Sequence, residues 1–138
     1  MAARHEARAA RRPFLLLHDG GYRGCNSDVE VCVPVLPESV QAVGGRIVDG
    51  AARAACLAFS GSYDRGGAAA AALFEWMQIS GARAVGPLRE SYVRFGADQR
   101  GYSLPRRFLA RRAADYRTEL QLPIAAAADL GLQYSAPA

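Results

Sequence analysis

Lysine is absent from this chain of 138 residues; apart from two histidines, every basic side chain is arginine. A formal net charge of +4 on its own would suggest a nucleic-acid partner. All-arginine usage beside abundant alanine and glycine fits a GC-rich coding sequence better than selection for phosphate contact. The clusters Arg8–Arg11–Arg12 and Arg106–Arg107–Arg111–Arg112 have spacings that suit solvated helix faces, and no recognisable DNA-reading motif accompanies them. Cysteine is scarce: Cys25, Cys32 and Cys56 are an odd number without a C-x-x-C spacing, which favours a structural over a redox or metal role. Cys32 and Cys56 lie in apolar, strand-like runs and read as small core residues. His5 and His18 have no neighbouring ligand set, so neither a metal centre nor a cofactor is expected. No apolar run approaches the ~20 residues that cross a bilayer, and MAARHEARAARR lacks the apolar middle of a secretory signal. The expectation is a cytoplasmic protein that makes no membrane contact.

What is present is ordinary globular composition, 51% apolar and 22% charged, in a length suited to one domain. PFLLLHD (13–19) reads as a strand ended by GGYRG, and VEVCVPV (29–35) as a second. In the latter, Val29, Val31, Val33 and Val35 share one face while Glu30, Cys32 and Pro34 share the other, the period of a half-buried strand. Residues 36–52 form a connector with GG and DG breakers, and RAACLAFS (53–60) is a third strand. A helix follows, capped by Ser62 or Asp64 and ended by Gly81. Its stripe is Ala69, Leu73, Trp76, Met77 and Ser80, with Trp76 and Met77 read as core packing. GPLRESYVRFG (86–96) is a fourth strand whose faces are not cleanly divided, residues 97–116 are a polar excursion, and TELQLPI (118–124) closes the fold.

VEVCVPV and TELQLPI share the template x-Glu-x-x-x-Pro-x at an offset of 89, which matches Glu30 to Glu119 and Pro34 to Pro123. Pro13–His18 aligns with Pro87–Tyr92 at an offset of 74, making His18 the repeat mate of Tyr92. The chain reads as a duplication with a first repeat at 1–37 and a second at 53–124. The second has a strand and a helix before its hairpin; the first has only twelve residues before Pro13, too few for both. Residues 1–124 are thus expected to form one domain, and 125–138 a flexible tail.

With VEVCVPV, GSYD and its helix to EWM, GPLRESY and TELQLPI in this order across 13–124, the sequence resembles the GyrI-like small-molecule-binding domain. That domain also serves as the effector module of MerR-type and AraC-type regulators. The resemblance implies an α+β fold: duplicated strand-helix-strand-strand units forming an antiparallel sheet, with helices on one face and a ligand cleft on the other. It implies a central carboxylate that receives a cationic, aromatic small molecule, and TELQLPI matches that position with Glu119. Alternation agrees: if Leu120, Leu122 and Ile124 face the helices, Glu119 and Gln121 face away, with Glu30 on the same side. Tyr92, Tyr63 and His18 are the candidate wall residues, and Glu90 is a further ligand-binding candidate from the R-E-x-Y match.

Three functions follow as expectations. The leading one is a sensor or sequestering module for a hydrophobic, cationic aromatic molecule, with no catalytic role. The second is a hydrolase of reactive natural products, in which Glu90 and Glu119 would act as acid and base. The third is a gyrase-inhibitor-type interaction module acting through residues 97–116. The pattern matches no helix-turn-helix, so this chain alone is not expected to bind an operator. The incomplete first repeat would leave a sheet edge bare, to be covered by a partner or a second copy.

Overall fold

The computed structural model describes residues 7–19, 22, 27–97 and 104–126. Among these residues five strands and one α-helix follow in the order β1 (Phe14–Leu17), β2 (Val29–Cys32), β3 (Ala54–Ser60), α1 (Gly66–Ser80), β4 (Leu88–Arg94) and β5 (Arg117–Pro123). The strands form one antiparallel sheet in the order β2-β1-β4-β5-β3. The fold is α+β, with the helix on one face of an open sheet.

Strand alternation decides which side chains meet the helix. Leu120 pairs with Leu57 on one side and Glu90 on the other, while Leu122 pairs with Ala55. These positions face α1, which presents Ala69, Ala70, Leu73 and Met77. Together with Leu17 and Leu88 they form the core, and Leu120 is fully enclosed. Small alanines on the helix let its backbone approach the sheet, while Leu73 and Met77 fill the space between. Ser62 caps the entry turn by accepting from the Asp64 N–H, and Gly81 ends the helix in the left-handed region (φ 68°) that glycine adopts without strain.

Two residues read as core lie elsewhere. Met77 is buried, but Trp76 is 48% exposed. It sits beside Leu73 against Ala54–Leu57 of β3, the last strand of the sheet, so nothing beyond that strand closes over the indole. Cys56 is likewise exposed, on the outer face of the same edge strand.

The two hairpins close with matching hydrogen bonds. In the first hairpin Arg8 bridges Val35, the Ala9 N–H donates to the Pro34 carbonyl, and the Leu36 N–H to that of Ala7. In the second, Ala84 bridges Ile124, the Val85 N–H donates to the Pro123 carbonyl, and the Ala125 N–H to that of Arg83. The register corrects one alignment. Leu16 pairs with Glu30, and Ser91 pairs with Glu119, so the first strands correspond at 75 positions and not 74. A slip of one residue exchanges the two faces of a strand. Leu17, not His18, is therefore the mate of Tyr92, and Leu15 the mate of Glu90.

Where α1 and β3 complete the second unit, the described residues supply no counterpart to the first. Val29 and Val31 lie on the helix side of β2 and Val33 just beyond its end; they are 45%, 71% and 49% exposed. The half-buried strand expected there is a strand whose apolar face is open. Of the tail expected from Ala125, residues 127–138 lie outside the described residues; Ala125 itself is buried.

Candidate functional site

Glu90 is the only carboxylate among the described residues that is buried, at 5% exposure. Its place follows from β4: Leu88 at one end faces the core, so Glu90 and Tyr92 point to the same side, between β1 and β5. Among the described residues no arginine reaches it. The Tyr92 phenol hydrogen-bonds to it, which favours the ionised form, but desolvation is the larger influence and raises its pKa above the ordinary carboxylate range.

Tyrosines surround this carboxylate. The Gly61 N–H donates to the Tyr116 carbonyl, extending the β3–β5 ladder, and the turn that follows swings Tyr63 over the sheet. The Tyr63 ring stacks on Tyr116 (centroids 5.0 Å apart, planes 26° apart) and meets Tyr92 edge-on (5.6 Å, 82°). Tyr22 arrives from the β1–β2 connection, and its hydroxyl lies so close to the first turn of α1 that only a glycine, Gly66, leaves room. Gly96 gives the Tyr116 hydroxyl the same clearance. Burial raises the pKa of Tyr92, Tyr63 and Tyr22, and the charge of Glu90 adds to each shift, as expected for phenols grouped about one carboxylate. Tyr63 is 40% exposed, so the group opens to solvent at the end where the helix begins.

One more polar group belongs here. Thr118, fully buried, pairs with Tyr92 across β4 and β5, and its hydroxyl finds no hydrogen-bond partner among the described residues. Among the described residues, then, a buried hydroxyl without a partner lies on the same face as a buried carboxylate whose one side-chain partner is a phenol.

The residues expected from the sequence are divided by the sheet. Glu90, Tyr92 and Tyr63 come together on the helix side. Glu119 pairs with Ser91 and Ala58 on the opposite face, where it accepts a 2.7 Å hydrogen bond from Gln121. His18 is on that opposite face too, 3.1 Å from Glu30. Glu30 is further held by Arg46 through two contacts of 2.6 Å and one of 3.1 Å, which keep its carboxyl below the usual range. Neither Glu119 nor His18 shares a face of the sheet with Tyr63 and Tyr92, and Glu90 and Glu119 do not converge on one spot. Tyr22, Tyr116 and Thr118 were not anticipated. Tyr116 and Thr118 carry a signal, since they continue the alternation that turns Leu120 inward.

Among the described residues no group of three His, Cys, Asp or Glu side chains could hold a metal ion, and no helix is long and apolar enough to cross a membrane.

The architecture is shared with the C-terminal domain of a larger protein solved bound to DNA. That protein is EcmrR: its crystallised C-terminal domain superposes with a TM-score of 0.67 and 22% identity, over 90% of this chain and 76% of that one. EcmrR in the cryo-EM structure of its DNA complex in EcmrR-RPo gives 0.57 and 23% identity, over 82% of this chain and 38% of that one. This chain therefore spans well under half the length of the DNA-bound EcmrR chain. No protein-family model and no curated protein matches it.

Proposed function

We propose that this chain is a GyrI-like effector-binding module that receives a cationic, aromatic small molecule at Glu90, as the sensing part of a transcriptional regulator. The observation that carries the reading is a buried carboxylate with no basic partner among the described residues, grouped with tyrosines of which Tyr63 reaches solvent. A lipophilic cation supplies the missing counter-charge, and each tyrosine face it meets adds about 0.5–2 kcal/mol. Likeness of fold to EcmrR, a protein solved on DNA, supports the regulatory setting. Glu90 and Glu119 lie on opposite faces of the sheet, which favours binding over a hydrolase that would use the two as acid and base.

Titration with thioflavin T, a permanent aromatic cation whose emission rises on immobilisation, tests the site. Saturable binding is expected, weakened about tenfold or more in Glu90→Gln through loss of a charged partner and unchanged in Glu119→Gln. Equal affinity in wild type and Glu90→Gln would remove Glu90 from the site.

A further inference from the structure

The far face of the sheet carries a different kind of recess. The connector after β2 makes a 3-10 turn at Pro37–Ser39 and is then held by the Gly45 N–H donating to the Val40 carbonyl. With β1, β2 and β4 it borders an open groove of about 1250 Å³ that reaches round the edge of β2 to Val31 and Val33. Two tethers fix it to the sheet: Arg46 on Glu30, and Arg89 on the carbonyl of Asp49 at 3.3 Å.

Four arginines line this groove, Arg11, Arg12, Arg46 and Arg89, against two carboxylates, Glu30 and Glu38. Glu30 is already held by Arg46. Among the described residues no carboxylate pairs with Arg11, Arg12 or Arg89. Arg89 lies over the Phe14 ring, 4.4 Å from its centre, which holds a guanidinium edge over the groove floor without neutralising it. The walls between these charges are apolar: Val35, Val40, Val43 and Val48, with Ile47 82% exposed at the lip.

We infer that this groove is a second ligand site, distinct from the Glu90 cluster, that takes an amphipathic anion of the lipophilic carboxylate class. The head group engages Arg89 and the Arg11–Arg12 pair in charge-assisted hydrogen bonds, and the chain lies along the valine wall under Ile47. The two sites select opposite charges because neighbouring residues of one strand, Arg89 and Glu90, point to opposite faces of the sheet.

Calorimetry with decanoate, kept below its micellar concentration, tests this in Glu90→Gln protein, in which the cation site is weakened, so that the fate of that reading and of this one can be told apart. One decanoate per chain is expected to bind saturably, at least tenfold more weakly in R89Q and in R11E/R12E, with decyltrimethylammonium failing to bind. Arg11 and Arg12 are exposed, so R11E/R12E keeps the melting temperature of its parent and reports charge alone. Equal binding of decanoate and decyltrimethylammonium, retention of decanoate by R11E/R12E, sulfate binding as tightly as decanoate, or no binding at all would each overturn the proposal.

Discussion

The two hairpins of the sheet are built alike and end in opposite circumstances. β1–β2 and β4–β5 close with the same bridge and the same pair of backbone hydrogen bonds, and each places alternate aliphatics on the helix side. In the second unit those aliphatics, Leu88, Leu120 and Leu122, are enclosed to 3% exposure or less; in the first, Val29, Val31 and Val33 stand open. The cause is what lies opposite. β5 has β3 along its outer edge and α1 above its face, while β2 has neither among the described residues. An alternating pattern fixes which way side chains point; burial requires a second element to receive them.

The largest effect expected from this contrast is on stability. Leu120→Ala should cost about 2–5 kcal/mol by urea denaturation, as a large-to-small change in an enclosed core, whereas Val31→Ala should stay within about 0.5 kcal/mol. Comparable losses would mean that something covers the valine face in solution. The bare edge of β2 is expected to pair with a second copy, in line with the usual fate of exposed strands. Light scattering should then give twice the chain mass at high concentration, and Val31→Lys should return it to one chain; a wild-type mass of one chain throughout would exclude the pairing.

A smaller effect separates Glu90 from its neighbours on the far face. Its pKa is raised in the folded chain, so the native state keeps a proton that the unfolded chain releases. Its contribution to stability is full below the ordinary carboxylate range and is lost as pH rises through the raised value. Glu90→Gln should abolish that decline and melt higher than wild type at neutral pH, by about 1.4 kcal/mol for each unit of the shift; a melting curve unchanged in its pH dependence would show that Glu90 ionises freely. Glu30→Gln should change least. Glu30 is lowered by Arg46 and then His18, so the linkage has the opposite sign, with stability present above the ordinary carboxylate range and lost in acid. The pair is exposed, and urea midpoints of Glu30→Gln and wild type should nearly coincide at neutral pH.

Much of the fold was legible because its signals are local. The strands around Leu16, Val31, Leu57, Leu88 and Leu120 and the helix ended by Gly81 follow from period and punctuation. The site was legible only in part. Glu90, Tyr92 and Tyr63 could be singled out, but which of them share a face depends on cross-strand pairing, which no local pattern in Leu88–Arg94 reveals. A misalignment by one residue then carried His18 to the wrong partner, because Pro13 and Pro87 look equivalent while the ladder pairs their strands one step apart. Trp76 escaped for another reason: its helical spacing suits the core, but the sheet ends at β3 before reaching it.

The buried Glu90 has a consequence for how occupancy would be reported. If the unliganded chain holds that carboxyl as a neutral acid, a permanent cation binds by displacing a hydrogen ion into the medium, and the liganded molecule carries the same total charge as the free one. Calorimetric heats measured in buffers of different ionisation enthalpy would then diverge. Below the raised pKa, apparent affinity for such a cation would climb about tenfold per pH unit before levelling off. A neutral aromatic of equal size, displacing no hydrogen ion, would show neither behaviour, so acidity of the surroundings would itself tune which class of compound the module answers to.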